Sequence, residues 1–228
     1  MTARHLLAAL AAAGWLGVAA AQPASAPEAD GDAADAGSSA ELWADERARE
    51  EAGDLEGAIH ACMQILRHHP KEPRAMNTIA GLDGRLGRYR DEVTWAYRAI
   101  HTDRRYFEAE INLGTALAQL GNAKQAQAAY ERARAIAPND PMPVYSLGVL
   151  AEGRHDVPAA TELYRQSVAL DPKFESGWFN LAAMQAAAGR FDDALASLDK
   201  VLALNPQAED ARAMRRHVQA DKAASPSR

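Results

Sequence analysis

The sequence predicts an all-α fold, an α-solenoid of five helix-turn-helix repeats followed by a capping helix. Its basis is a register: residues 39–208 divide into five blocks of 34, at 39–72, 73–106, 107–140, 141–174 and 175–208, without one inserted or deleted residue. Small residues recur in fixed columns. Ala80, Gly114, Gly148 and Ala182 stand directly behind Ile79, Leu113, Leu147 and Leu181, and Ala58, Ala126, Ala160 and Ala194 form a second column. Punctuation recurs too, with Gly53, Gly87, Gly121 and Gly189 in mid-block and Pro70, Pro138, Pro172 and Pro206 near block ends.

Each block therefore spells helix, turn, helix, stop. Two antiparallel helices joined by a short turn approach closely only where their crossing residues are small, which the Ala/Gly columns supply. Large residues, among them Tyr130, Tyr164 and Leu198, fill the space around that contact. Proline cannot continue a helix and resets the chain for the next one.

In the fifth block Trp178, Phe179, Asn180 and Leu181 are followed by Gly189, Ala194 and the Leu204, Asn205, Pro206 ending. This pattern resembles the tetratricopeptide repeat family, whose period is about 34 residues. The resemblance implies a right-handed superhelix whose inner face is lined by the first helix of each pair. It implies an exported bacterial scaffold without catalytic function. Members that recognise acidic chaperone C-termini use a clamp of inward Lys, Asn and Arg. Trp43 stands where the first clamp Lys would be, so that specialised reading is disfavoured.

The ends read differently from the repeats. Arg4 and His5 precede an apolar run, Leu6 to Ala21, with small residues ahead of Gln22, the pattern of a cleavable leader over residues 1–21. The run is too short and alanine-rich for a persuasive membrane span. Export to the periplasm, or secretion, follows, with no membrane insertion after cleavage. Residues 22–38, rich in Ala, Pro, Gly and Ser and carrying Glu28, Asp30, Asp32 and Asp35, read as a disordered acidic linker. Residues 209–222, with Ala211, Met214 and Val218 on one side, read as a helix covering the apolar end of the stack, and residues 223–228 as a disordered tail.

Composition excludes more than it assigns. Net charge is −6, from 25 basic and 31 acidic residues, which argues against nucleic acid as a partner. Cys62 shares a column with Tyr130, Tyr164 and Leu198, so a buried apolar role is expected and no internal disulfide can form. His60, Cys62, His68 and His69 are scattered by the repeat geometry and make no metal site. Nothing matches a phosphate loop, a Ser/His/Asp order or a paired-carboxylate site. The chain reads as non-catalytic, with no cofactor.

The expected groove changes along its length. Trp43, Asn77 and Arg85 line a charged first half, whereas Ile111, Met142, Tyr145, Val149 and Phe179 give the second half an apolar stripe. Asn112 and Asn180, with Ser146 between them, are placed to hydrogen-bond an extended peptide, since an amide both donates and accepts. A protein or peptide segment is the expected ligand. A competing reading has these side chains packing on neighbouring repeats. A carbohydrate-binding role in polysaccharide synthesis or export, with Tyr145, Phe179 and Trp43 stacking on sugar rings, is the alternative function. Oligomeric state is not legible.

The second block departs most from the pattern. Glu92 fills the column otherwise held by Ala58, Ala126, Ala160 and Ala194, and Ala96 replaces the large residue. An unpaired buried carboxylate is costly, so Glu92 is expected to swing outward or meet Arg85 or Arg88. With Gly81 and Gly84 weakening its first helix, this block is expected to be the softest. Its surplus of arginines, Arg85, Arg88, Arg90, Arg98, Arg104 and Arg105, reads either as a solvated face or as a site for an anionic partner. The function expected is an adaptor in assembly of a pilus, secretion or outer-membrane machine, the machine resting on family analogy.

Overall fold

A computed structural model describes residues 33–224. The leader, the linker as far as residue 32 and the tail from residue 225 lie outside the described residues. Among the described residues there are eleven α-helices and no strand. The chain divides between Asn139 and Asp140 into two compact units.

The first unit holds α1 (Ala33–Glu51), α2 (Leu55–His68), α3 (Pro73–Arg85), α4 (Tyr89–Thr102), α5 (Phe107–Gln119) and α6 (Ala123–Ile136). The second holds α7 (Pro141–Gly153), α8 (Val157–Leu170), α9 (Glu175–Ala187), α10 (Phe191–Leu204) and α11 (Glu209–Ala224). Within each unit every helix packs on its neighbour in sequence, the contact pattern of a stacked solenoid. α1 starts at Ala33, so residues 33–38, grouped with the linker on composition, are helical; alanine is the strongest helix former and three of the six are alanine.

Helix boundaries follow the punctuation. Asp54, Glu72, Asp140 and Asp156 cap α2, α3, α7 and α8 by accepting a backbone N–H, and Pro73 and Pro141 begin their helices where no intrahelical N–H is needed. The second helices α2, α6, α8 and α10 each end two residues before the proline of their block. Between helices of a pair the backbone passes through the left-handed region at Gly53, Gly87, Gly121 and Gly189, with φ between +73° and +79°.

The fourth pair makes the same turn at His155, φ +60°, without glycine. A left-handed conformation costs a side chain about 1–2 kcal/mol, while glycine's extra freedom in the unfolded chain offsets about 0.4–1 kcal/mol of any gain. His155→Gly should therefore raise the melting temperature by a few degrees. A fall on calorimetry would mean that the exposed imidazole makes a contact worth more than the strain.

Small and large residues are matched across each pair. The Tyr130 ring lies so close to Gly114 that a Cβ there would sit 2.5 Å from it, and Tyr164 leaves 2.7 Å at Gly148. Where the column holds Ala182 instead, the partner is Leu198. Cys62 is fully buried with Ile65, Ala75 and Ile79, the apolar role its column implies. Ala211, Met214 and Val218 of α11 are buried against Leu198 and Val201.

Candidate functional site

In the first unit the face made by the first helices is polar and partly occupied. Trp43 on α1 is half-buried, with the Arg74 guanidinium 4.2 Å above its ring. Asn112 on α5 donates through Nδ2 to Asn77 Oδ1 on α3, at 2.9 Å. Arg85 is exposed and ion-paired with Glu50. Ile111, expected in the apolar stripe, is buried at 6% exposure.

The second unit revises the stripe further. Tyr145 is 6% exposed; its ring meets Tyr164 at 5.5 Å and Phe174, edge-on, at 5.0 Å. Its hydroxyl accepts from Asn180 Nδ2 at 3.0 Å, and burial raises its pKa to about 12. Ser146 is buried as well. Tyr145, Ile111 and Ser146 are therefore core, not ligand anchors, and a sugar-stacking role for Tyr145 fails with them. For Tyr145 the physical reason lies at the start of α9: Phe174, the N-cap of that helix, and Trp178 within it pack on the cluster that holds Tyr145 and Tyr164. Met142, Val149, Phe179 and Asn180 remain half-buried at the surface.

The amide bonds form a rule that the sequence reading missed. Asn112 to Asn77 and Asn180 to Tyr145 each span 35 residues, joining one column to the preceding column of the previous repeat. Each amide carries two N–H groups and two lone pairs, more than that bond consumes, so the ladder positions polar groups without exhausting them.

Glu92 corrects an expectation outright. It is 2% exposed, yet neither Arg85 nor Arg88 reaches it, and its Oε2 has no hydrogen-bond partner. Arg88 instead binds Glu56, and Arg85 Glu50. The Glu92 carboxyl lies over Gly84, where a Cβ would fall 2.7 Å from Oε2. Burial, then the nearby Asp83 charge, lifts its pKa to about 8, so it is mostly protonated at neutral pH and needs no cation. In these two columns the first and fourth repeats pair Glu50 with Ala58 and Glu152 with Ala160, and the third and fifth carry alanine in both; the second exchanges the sizes, Gly84 with Glu92.

A cleft of about 540 Å³ lies away from the first-helix face, on the second helices α4 and α6. Among the described residues no group of His, Cys, Asp and Glu could hold a metal ion, and no helix is long and apolar enough to cross a membrane.

Family models described as tetratricopeptide repeat match residues 111–174 and 150–218. A cytochrome c-type biogenesis protein, CycH, of Bradyrhizobium diazoefficiens is 33% identical over 126 residues, 53% of this chain. The match spans only 34% of that relative's length. Among solved structures, a thermophilic tetratricopeptide repeat protein from Thermus thermophilus aligns with TM-score 0.71 at 19% identity, over 80% of this chain and 99% of the other. YrrB, described as having an unusual peptide-binding site, aligns with TM-score 0.52 at 18% identity, over 75% of this chain and 88% of the other.

Proposed function

This chain belongs to the tetratricopeptide repeat family, a fold that serves as a protein-interaction scaffold, and from that premise we propose that it is a non-catalytic adaptor holding a partner polypeptide on its first-helix faces. The observation that carries the reading is the half-exposed amides of the first helices: Asn77 and Asn112 in the first unit and Asn180 in the second, Asn112 and Asn180 each oriented by bonding to the residue 35 positions earlier and each with capacity left for an extended backbone. Trp43 and Phe179, half-buried on the same kind of face, supply apolar contact. The leader pattern supports work in the periplasm. The similarity to CycH favours assembly of c-type cytochromes over the pilus, secretion and outer-membrane machines that family analogy offers equally.

A photo-crosslinking phenylalanine analogue placed at Trp43 or Phe179 in living cells is expected to trap the same partner from both positions. The same analogue at Arg165, exposed on the second helix α8, is the control. Equal trapping from all three positions would defeat the first-helix reading. A deletion strain is expected to lose covalently bound haem from its c-type cytochromes, and an unchanged haem stain would remove that machine.

A further inference from the structure

The second helices α4 and α6 enclose a cleft that the adaptor reading does not use. Tyr97, Ile100 and His101 line it from α4, Arg104 from the loop that follows, and Arg132, Ala135 and Ile136 from α6. Tyr97 is 54% exposed, in a column that other blocks fill with Met63, Glu131, Arg165 and Asp199. An aromatic ring held half out of water beside a concavity is the residue type that anchors interfaces.

The floor is built from charge. Glu110 occupies a column that is Leu42, Met76, Val144 and Trp178 elsewhere, and it is 4% exposed. Arg132 grips it with two parallel bonds, Nε to Oε1 at 2.9 Å and Nη2 to Oε2 at 2.8 Å. A buried carboxylate in an apolar column would be costly without that guanidinium. The arrangement also pins Arg132, half-exposed at the cleft, with its Nη1 edge outside the pair. Glu110 neutralises Arg132, so Arg104 leaves the cleft lining with a net positive charge on a protein of net charge −6.

We propose that this cleft is a second docking surface, taking an acidic segment of another protein: one apolar or aromatic side chain inserts beside Tyr97, and carboxylates following it meet Arg104 and the outer edge of Arg132. An apolar lining with a net positive charge fits that chemistry and repels a basic peptide. The pinned guanidinium is already oriented, so little side-chain freedom is lost on binding. The surface is formed by α4, α6 and the loop after α4, with Glu110 of α5 contributing from beneath, and uses none of the residues of the adaptor reading.

The test uses the full chain and a fluorescent peptide carrying one Phe ahead of a Glu-Asp-Glu run, read by polarisation. Saturable binding that weakens at high salt is expected, with no binding of the same peptide carrying Lys for its acids or Gly for its Phe. Tyr97→Ala and Arg104→Glu, both surface changes, should each weaken binding about tenfold or more while the melting temperature stays put. Asn112→Ala, on the other face, should leave it unchanged. No binding of the acidic peptide, equal binding of the Lys peptide, or loss with Asn112→Ala but not Tyr97→Ala would each overturn the proposal. So would self-association of the chain that Tyr97→Ala abolishes, since the occupant would then be a second copy.

Discussion

Glu92→Gln is expected to make the protein more stable at pH 8 by a few kcal/mol and to flatten the dependence of its stability on pH. Folded, Glu92 holds its proton to about pH 8; unfolded, it loses it near 4.5. Between those values the native state binds the extra proton, so stability falls as pH rises, at about 1.4 kcal/mol per pH unit for this group alone. Below 4.5 its contribution is complete, and above 8 the native state must bury an unpaired charge facing Asp83. Glutamine keeps the shape over Gly84 and never ionises. Glu46, buried and repelled by Glu50, is raised to about 7 and acts with the same sign, so a shallower slope should survive in the variant. Urea midpoints across pH 4–9 check this; parallel curves for the two proteins would mean that Glu92 does not titrate in this window.

The second large effect concerns size matching in the fourth repeat. Gly148→Ala puts a methyl 2.7 Å from the fully buried Tyr164 ring, an overlap expected to cost about 1–3 kcal/mol. Tyr164→Leu alone leaves a cavity and removes the hydroxyl that donates to Glu152 at 2.6 Å, a loss of a few kcal/mol. Together the two changes recreate the Ala182–Leu198 pairing of the fifth repeat, and the double variant should be more stable than the sum of the singles predicts by about 1–2 kcal/mol. Strict additivity in a thermal-melt cycle would refute the matching.

Much of the fold was legible because its cause is local and repeated. Glycine at the turn, proline after the second helix and small residues at the crossing each act within one block, and each recurs in at least four of the five blocks, so the copies reinforce one reading. The candidate site was legible only in part. Asn77, Asn112 and Asn180 are where the columns place them, whereas Ile111, Tyr145 and Ser146 are buried. A helical wheel names the side of α7 that Tyr145 occupies but not what Phe174 covers. Two signals were present and unread: Gly84 with Glu92 exchanges the sizes of its columns, and Glu110 breaks a column of Leu42, Met76, Val144 and Trp178. Both mark buried carboxylates, one neutralised by its proton and the other by Arg132.

The sequence by itself determined the helix pairs, the turns between them and the columns that meet at each crossing, because these follow from backbone geometry and side-chain volume within 34 residues; the start of α1 at Ala33 it did not. Only the tertiary structure decided which first-helix side chains reach water, how Glu92 is accommodated and that a cleft opens on the second helices. Exposure is a property of what the packed helices leave uncovered, and that depends on the sizes and charges of residues brought together from different helices, as Phe174 is to Tyr145 and Arg132 to Glu110.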